Sequence, residues 1–245
     1  MVSNAPADPV PPPSFTAPEE CLIVTFYARM IKELCGPKVK NPKLRRQDRV
    51  PAAANCFLRR FYLSNSVIDY DPLKVMVASI FLASKAEDLM ISSVALSNAT
   101  KDMNKEVTVE DIVGHEVLLL SGLGFQLHLS HPNRGVTGLV DDLRKFAKAE
   151  ELYNGQDLPD FVALHTKAGE YLDDCVFSDL TLLYSPGKLS IIAVWLALLD
   201  LKKNDKGAAV KKEEEDEVGG AYGASASVPK GNWSKMDLKG YIAKR

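Results

Sequence analysis

The chain has 245 residues, of which 46% are hydrophobic and 25% are charged, and its formal net charge is −2. These values are typical of a soluble protein with one or two domains, and they exclude a global basic field that would attract nucleic acid. The longest apolar run, Leu189 to Leu199, is too short to cross a bilayer, which needs about 20 residues. The four cysteines show no C-x-x-C spacing, so the sequence predicts buried, reduced thiols and no metal centre.

The first helix follows a proline-rich segment, residues 1–15, which we predict to be disordered. Thr16 and Glu19 have the spacing of a capping box, so the helix is expected to begin directly after Thr16. Apolar residues then recur every three to four positions until Gly36, which predicts one amphipathic helix. The connection that follows, residues 39–48, is basic and contains a proline; we interpret it as a solvated loop rather than as an import signal.

Four more helices are predicted before Gly124. The second begins near Val50, and the third, about Pro72 to Lys85, is apolar nearly all round, which is typical of a central helix. Ser92 or Ser93 begins a short fourth helix. Thr108 and Asp111 form an acidic variant of the capping box at the start of the fifth.

A second, similar set of helices follows from about Pro132. Its third helix, Leu189 to Leu199, is again almost wholly apolar and is therefore predicted to be central. Residues 202–232 are charged and then rich in Gly, Ala and Ser, which predicts a flexible insertion. A short helix is expected over 233–245. The fold class is all-α, with repeats at 16–128 and 129–201.

Two charges occupy unexpected places within these apolar helices. Lys85 follows the run from Val77 to Ala83, and Glu116 precedes the run from Val117 to Leu120. Because an isolated buried charge is costly, either residue needs a partner or a path to water. By pattern alone, a snorkelling lysine and a solvated glutamate remain the simpler interpretation, and a contact with another molecule remains open.

Two segments give the chain a family resemblance over residues 17–201. They are Phe81-Leu82-Ala83-Ser84-Lys85-Ala86-Glu87-Asp88, and Glu116 with the apolar run that follows it. The chain resembles the cyclin family on these residues. The resemblance implies two consecutive five-helix cyclin-box repeats, and because no fifth apolar helix follows residue 201, we expect the second repeat to be incomplete.

The resemblance also implies a function. Cyclins are not enzymes and need no cofactor; they bind and activate a protein serine/threonine kinase. Lys85 and Glu116 would meet the kinase backbone near its αC helix, since a lysine supplies donors and a carboxylate supplies acceptors. The other kinase-binding residues implied are Phe81, Leu82, Leu120 and Phe125. Docking of the αC helix would complete the kinase's own Lys–Glu ion pair.

The branch of the family that matches most is linked to transcription and the nucleus. It implies a cyclin-dependent kinase as partner, with a RING-containing assembly subunit and general transcription factor IIH, and no direct contact with nucleic acid or membrane. A Mediator kinase subunit and a TFIIB-like transcription adaptor are the alternatives. The sequence contains neither the zinc ribbon and basic face of a DNA-binding adaptor nor the G-x-S-x-G, P-loop or H-E-x-x-H motifs of common enzymes.

Overall fold

A computed structural model describes residues 15–103, 105–149 and 159–217, together with Trp233, Met236 and Tyr241. Regular structure is entirely helical in these residues, in agreement with the all-α prediction. The predicted disordered N-terminal segment lies outside them, apart from Phe15. None of the helices described here is both long enough and apolar enough to cross a membrane.

The chain divides into two compact units between Leu127 and His128. This division falls one residue from the predicted end of the first repeat. The first unit contains α1 (Ala17–Cys35), α2 (Arg49–Phe61), α3 (Pro72–Ala86), α4 (Ser93–Asp102) and α5 (Val109–Gly122).

Both predicted capping boxes form at helix N-termini of the first unit. The Thr16 N–H donates to the Glu19 carboxylate at 2.8 Å, at the start of α1. At the start of α5, the Asp111 N–H donates to the Thr108 hydroxyl at 3.1 Å, and the Thr108 N–H donates back to the Asp111 carboxylate at 3.3 Å. Each box satisfies main-chain donors that have no partner within the helix.

Helix α3 is the centre of the first unit, as its sequence predicts. All residues from Val75 to Ser84 are buried, and the helix packs against α1, α2 and α5. Small residues on α2 allow a close approach, because Ala53 and Ala54 are fully buried. The end of α3 and the middle of α5 therefore belong to the same packed helical core.

The second unit contains α6 (Pro132–Ala149), α7 (Phe161–Val176), the short α8 (Leu180–Leu183) and α9 (Pro186–Glu217). Helix α9 packs against α6 and α7. Gly135 lets α6 approach α9, since a Cβ atom there would lie 2.3 Å from the Ser190 hydroxyl oxygen. The same hydroxyl donates to the Pro132 carbonyl at 2.7 Å.

Two expectations for the third helix of the second unit need correction. Helix α9 is central on one side only, because its other side presents exposed apolar residues: Ile191, Ile192, Trp195 and Leu199. Only α6, α7 and the four-residue α8 pack on it among the elements described, and they cover part of its circumference. The helix also continues to Glu217, into the segment predicted to be flexible. The Lys-, Glu- and Ala-rich sequence of this extension has high intrinsic helix propensity.

Three residues near the C-terminus pack on the second unit. Trp233, Met236 and Tyr241 are buried, and the Trp233 ring meets Phe161 edge-on with 5.6 Å between ring centroids. The Tyr241 hydroxyl donates to the Asp142 carboxylate. The rest of the short helix predicted over 233–245 lies outside the described residues.

The cysteines follow the prediction only in part. None of the four takes part in a disulfide, and burial raises the pKa of the Cys35 thiol to about 12. Cys21, however, is exposed on α1. The apolar pattern places it on the helix, but Leu22 and Phe26 on the same helix are exposed as well, so this face of α1 is not covered.

Candidate functional site

The two unexpected charges of the sequence form an ion pair with each other. The Lys85 ammonium, in the last turn of α3, lies 2.7 Å and 2.9 Å from the two carboxylate oxygens of Glu116 on α5. The lysine side chain is 37% exposed and the glutamate side chain 11%. Their pairing gives Glu116 the partner that its burial requires.

This pair retains capacity to bind a further group. An ammonium has three N–H donors and a carboxylate about four acceptor positions, and the pair uses only two of each. Because Lys85 is partly exposed, its remaining donor can reach a carbonyl of another molecule through a charge-assisted hydrogen bond. The arrangement therefore suits recognition of a polypeptide backbone.

Phe81 and Leu82 lie on α3, about one turn before Lys85. Both were predicted to contact a partner, yet the structure leaves them only 8% and 3% exposed. The Lys85 ammonium sits 4.1 Å from the centroid of the Phe81 ring, which is the geometry of a cation–π interaction. Phe81 thus supports the lysine in this structure, and both residues offer little surface of their own.

Leu120 and Phe125 lie at the C-terminal part of α5 and just beyond it. Leu120 is half-buried, whereas Phe125 is 73% exposed. Gly124 and Phe125 both have left-handed backbone angles, with φ of +57° and +59°, and the Phe125 N–H donates to the Leu120 carbonyl at 3.0 Å. A left-handed conformation is strained for an aromatic residue, at a cost of about 1–3 kcal/mol, and such strain is concentrated at functional sites.

Two further members of the site were not predicted. Val113 and Val117 are exposed on α5, and Val117 reaches 65%. With Leu120 they repeat at helical spacing, while Ile112, Glu116 and Leu119 form the buried side. We name Val113, Val117, Leu120 and Phe125 the α5 stripe. Its signal was present in the sequence, because α5 has more apolar residues than one buried face can accommodate.

A second ion pair joins the same two helices near their N-termini. The Lys74 ammonium, on the first turn of α3, lies 2.8 Å from the Asp111 carboxylate on α5. This contact lowers the pKa of Asp111 and raises the pKa of Lys74, in both cases chiefly through the hydrogen bond between the two side chains. The two pairs together fix the register of α5 on α3.

Comparison with known proteins shows which proteins the chain resembles. Residues 42–128, from the α1–α2 connection to the end of the first unit, match the cyclin N-terminal domain. Over these residues the chain is similar to cyclins. It is 27% identical to cyclin-H of Xenopus laevis over 72% of this chain and 51% of that protein. It is 25% identical to cyclin-C1-1 of Arabidopsis thaliana over 64% of this chain and 58% of the relative.

Two solved complexes contain a chain of similar fold. A chain of the yeast TFIIK complex of Kin28, Ccl1 and Tfb3 is 26% identical, with a TM-score of 0.59 over 73% of this chain and 72% of that chain. A chain of the CAK complex of Chaetomium thermophilum is 26% identical, with a TM-score of 0.61 over 84% of this chain and 62% of that chain. The chain spans about half the length of several curated cyclins that it matches.

Proposed function

We propose that this chain is a cyclin H-like regulatory subunit that binds and activates a cyclin-dependent kinase. The observation that carries the proposal is the Lys85–Glu116 pair at the edge of the α5 stripe, in a chain similar to cyclin H. The spare donor of Lys85 would bind a main-chain carbonyl of the kinase. Val117 and Phe125 would pack against an apolar helix of the kinase, because exposed apolar side chains around a polar anchor are typical of docking surfaces.

The similar complexes support the identity of the partners. One contains the kinase Kin28 and Tfb3, and the other is a CAK complex. By analogy, this cyclin would assemble in the nucleus with a serine/threonine kinase of the CDK-activating type, a RING-containing assembly subunit and general transcription factor IIH. The substrates would be kinase activation loops and the C-terminal repeats of RNA polymerase II.

A binding and activation assay tests the proposal. The cyclin is mixed with the catalytic subunit of a CDK-activating kinase, and phosphorylation is measured on a polymerase repeat peptide and on an inactive cyclin-dependent kinase. Val117→Asp places a charge within the α5 stripe and is expected to weaken binding at least about tenfold, which corresponds to about 1.4 kcal/mol. Lys85→Ala and Glu116→Ala should each lower activation without loss of helical content.

Val162→Asp is the matched control, because Val162 is an equally exposed valine on α7 of the second unit. It should leave activation unchanged. Normal activation by all three site variants would contradict the proposed site. Activity on the polymerase peptide alone would favour a cyclin C-like Mediator kinase subunit, which the similarity to a cyclin-C protein makes the second candidate.

A further inference from the structure

The connection between α1 and α2 is strongly basic, although the chain as a whole is slightly acidic. Residues 38–49 contain six lysines and arginines and one acid, Asp48. The exposed side chains among them are Lys38, Lys40, Lys43 and Arg45. Such a local excess of one sign creates a positive potential that attracts acidic groups.

This connection forms one wall of an open groove of about 520 Å³. Arg45, Arg46, Gln47 and Pro37 line that wall, and the opposite wall is apolar, formed by Leu89 and the exposed Met90 of the α3–α4 connection. The groove therefore joins positive charge and an apolar surface within one site. No aromatic side chain is among its lining residues.

Arg46 makes the groove rigid. Its Nε donates to the Leu89 carbonyl at 2.7 Å, its Nη2 donates to the Met90 carbonyl, and its own N–H donates to the Cys35 carbonyl at 2.9 Å. The opposite wall is fixed as well, since the Leu89 N–H donates to the Ser84 carbonyl at 2.8 Å. A preformed site avoids part of the entropy cost of binding.

Arg45 and Lys43 differ from Arg46 in having exposed side chains that hold no wall in place. A guanidinium presents a planar fork of donors that matches a carboxylate, and a neighbouring lysine adds a point charge. Of the two acids in the α3–α4 connection, Glu87 lies 3.8 Å from Arg49 and Asp88 is exposed. Because the side chains of Arg45 and Lys43 are exposed as well, their positive charge is available to a ligand.

We infer that this groove is a docking site for an acidic peptide segment, in which aspartate or glutamate side chains meet Arg45 and Lys43 while an adjacent apolar residue packs on Leu89 and Met90. A single-stranded nucleic acid fits less well, because such ligands stack their bases on aromatic side chains, and the groove lining has none. The site does not depend on the proposed kinase contact and can be measured with the chain alone.

Fluorescence anisotropy tests the inference on the whole chain. The probe is a short fluorescein-labelled peptide of aspartate, glutamate and leucine; its comparison peptide has asparagine and glutamine instead of the acids. We expect binding of the acidic peptide only, weakened as salt rises from about 0.1 M to about 1 M, where the Debye length falls from about 10 Å to about 3 Å. The double variant Lys43→Glu, Arg45→Glu should reduce affinity by at least about tenfold.

The matched control is Arg144→Glu, Lys145→Glu, which makes the same charge change at exposed positions of α6. It should leave affinity within about twofold. Met90→Gln probes the apolar wall without changing the charge of the groove and should also weaken binding. Absence of binding, equal losses for the control, or equal affinity for an oligonucleotide of the same charge would each overturn the inference.

Discussion

Lys74 and Asp111 make a contact whose strength depends on pH. Because the hydrogen bond lowers the pKa of Asp111 below its ordinary value of 3.8, folding favours the ionised carboxylate. The stability from this group is therefore complete above pH 3.8 and is lost as pH falls through the folded pKa. The raised pKa of Lys74 acts in the other direction, so its contribution is complete below 10.5 and is lost in strong base.

Lys74→Met should therefore lower the free energy of unfolding at neutral pH but not at the acid end. The difference between wild type and variant, from urea titrations at a series of pH values, should shrink once the pH falls below 3.8. Lys101→Met is the control, since its pair with Glu106 is longer, at 3.3 Å, and both side chains are well exposed. A constant Lys74→Met difference across acid pH would show that the pair does not act through the Asp111 charge.

At the scale of one element, α5 contains two glycines in opposite environments. A Cβ atom at Gly122 would lie 2.7 Å from two ring carbons of the buried Phe61, whereas a Cβ at Gly114 would have no heavy atom within 4 Å. Gly122→Ala should thus destabilise the first unit by about 1–3 kcal/mol through overpacking. Gly114→Ala should instead stabilise it by about 0.5–1 kcal/mol, because alanine favours the helix.

Thermal unfolding of the two alanine variants measures this contrast, with opposite shifts of Tm expected. A second measurement isolates the cause: in a Phe61→Leu background, Gly122→Ala should lose most of its penalty, since the clashing ring is gone. Equal effects of the two glycine substitutions on Tm would mean that the Phe61 ring moves aside without loss of stability.

The elements also show which features a sequence can reveal. The capping boxes and the central position of α3 depend on residues close in the chain, and both were predicted. The exposed side of α9 was not, because periodicity counts apolar residues but not the helices available to cover them. The Lys85–Glu116 pair joins residues 31 positions apart, so the sequence could mark each charge as unexpected but could not place them together.

The α5 stripe, too, could be predicted only in part from the sequence. Leu120 and Phe125 were predicted from family resemblance, whereas Val113 and Val117 were missed although they lie on the same helix as Leu120. The left-handed backbone at Phe125 has no signal except the preceding glycine, and glycine tolerates many conformations. The backbone angles at the end of α5 can therefore be read only from the structure.

At the scale of the whole molecule, the second unit includes packed residues that follow α9 in the sequence. Trp233 is buried against Phe161, so Trp233→Ala should destabilise the second unit by about 3–5 kcal/mol. Trp195→Ala is the matched control, because Trp195 is exposed on α9 and its loss leaves no cavity. Hydrogen exchange should show faster exchange in α6 and α7 for the first variant only, while α3 remains protected in both.

If both tryptophan variants exchanged alike, the burial of Trp233 would contribute nothing to the unit. A change in α3 would instead show that the loss spreads into the first unit.

The packing of Tyr241 affects the order in which the chain can fold during synthesis. Its hydroxyl reaches Asp142 across 99 residues of sequence, whereas the two ion pairs between α3 and α5 span 31 and 37. Contacts between distant residues form late, because the intervening loop must close first. The first unit can therefore fold on the ribosome as soon as Leu127 has emerged, and the second must wait for the segment that carries Trp233 and Tyr241. During that interval, the face of the second unit that these residues cover stays open to chaperones.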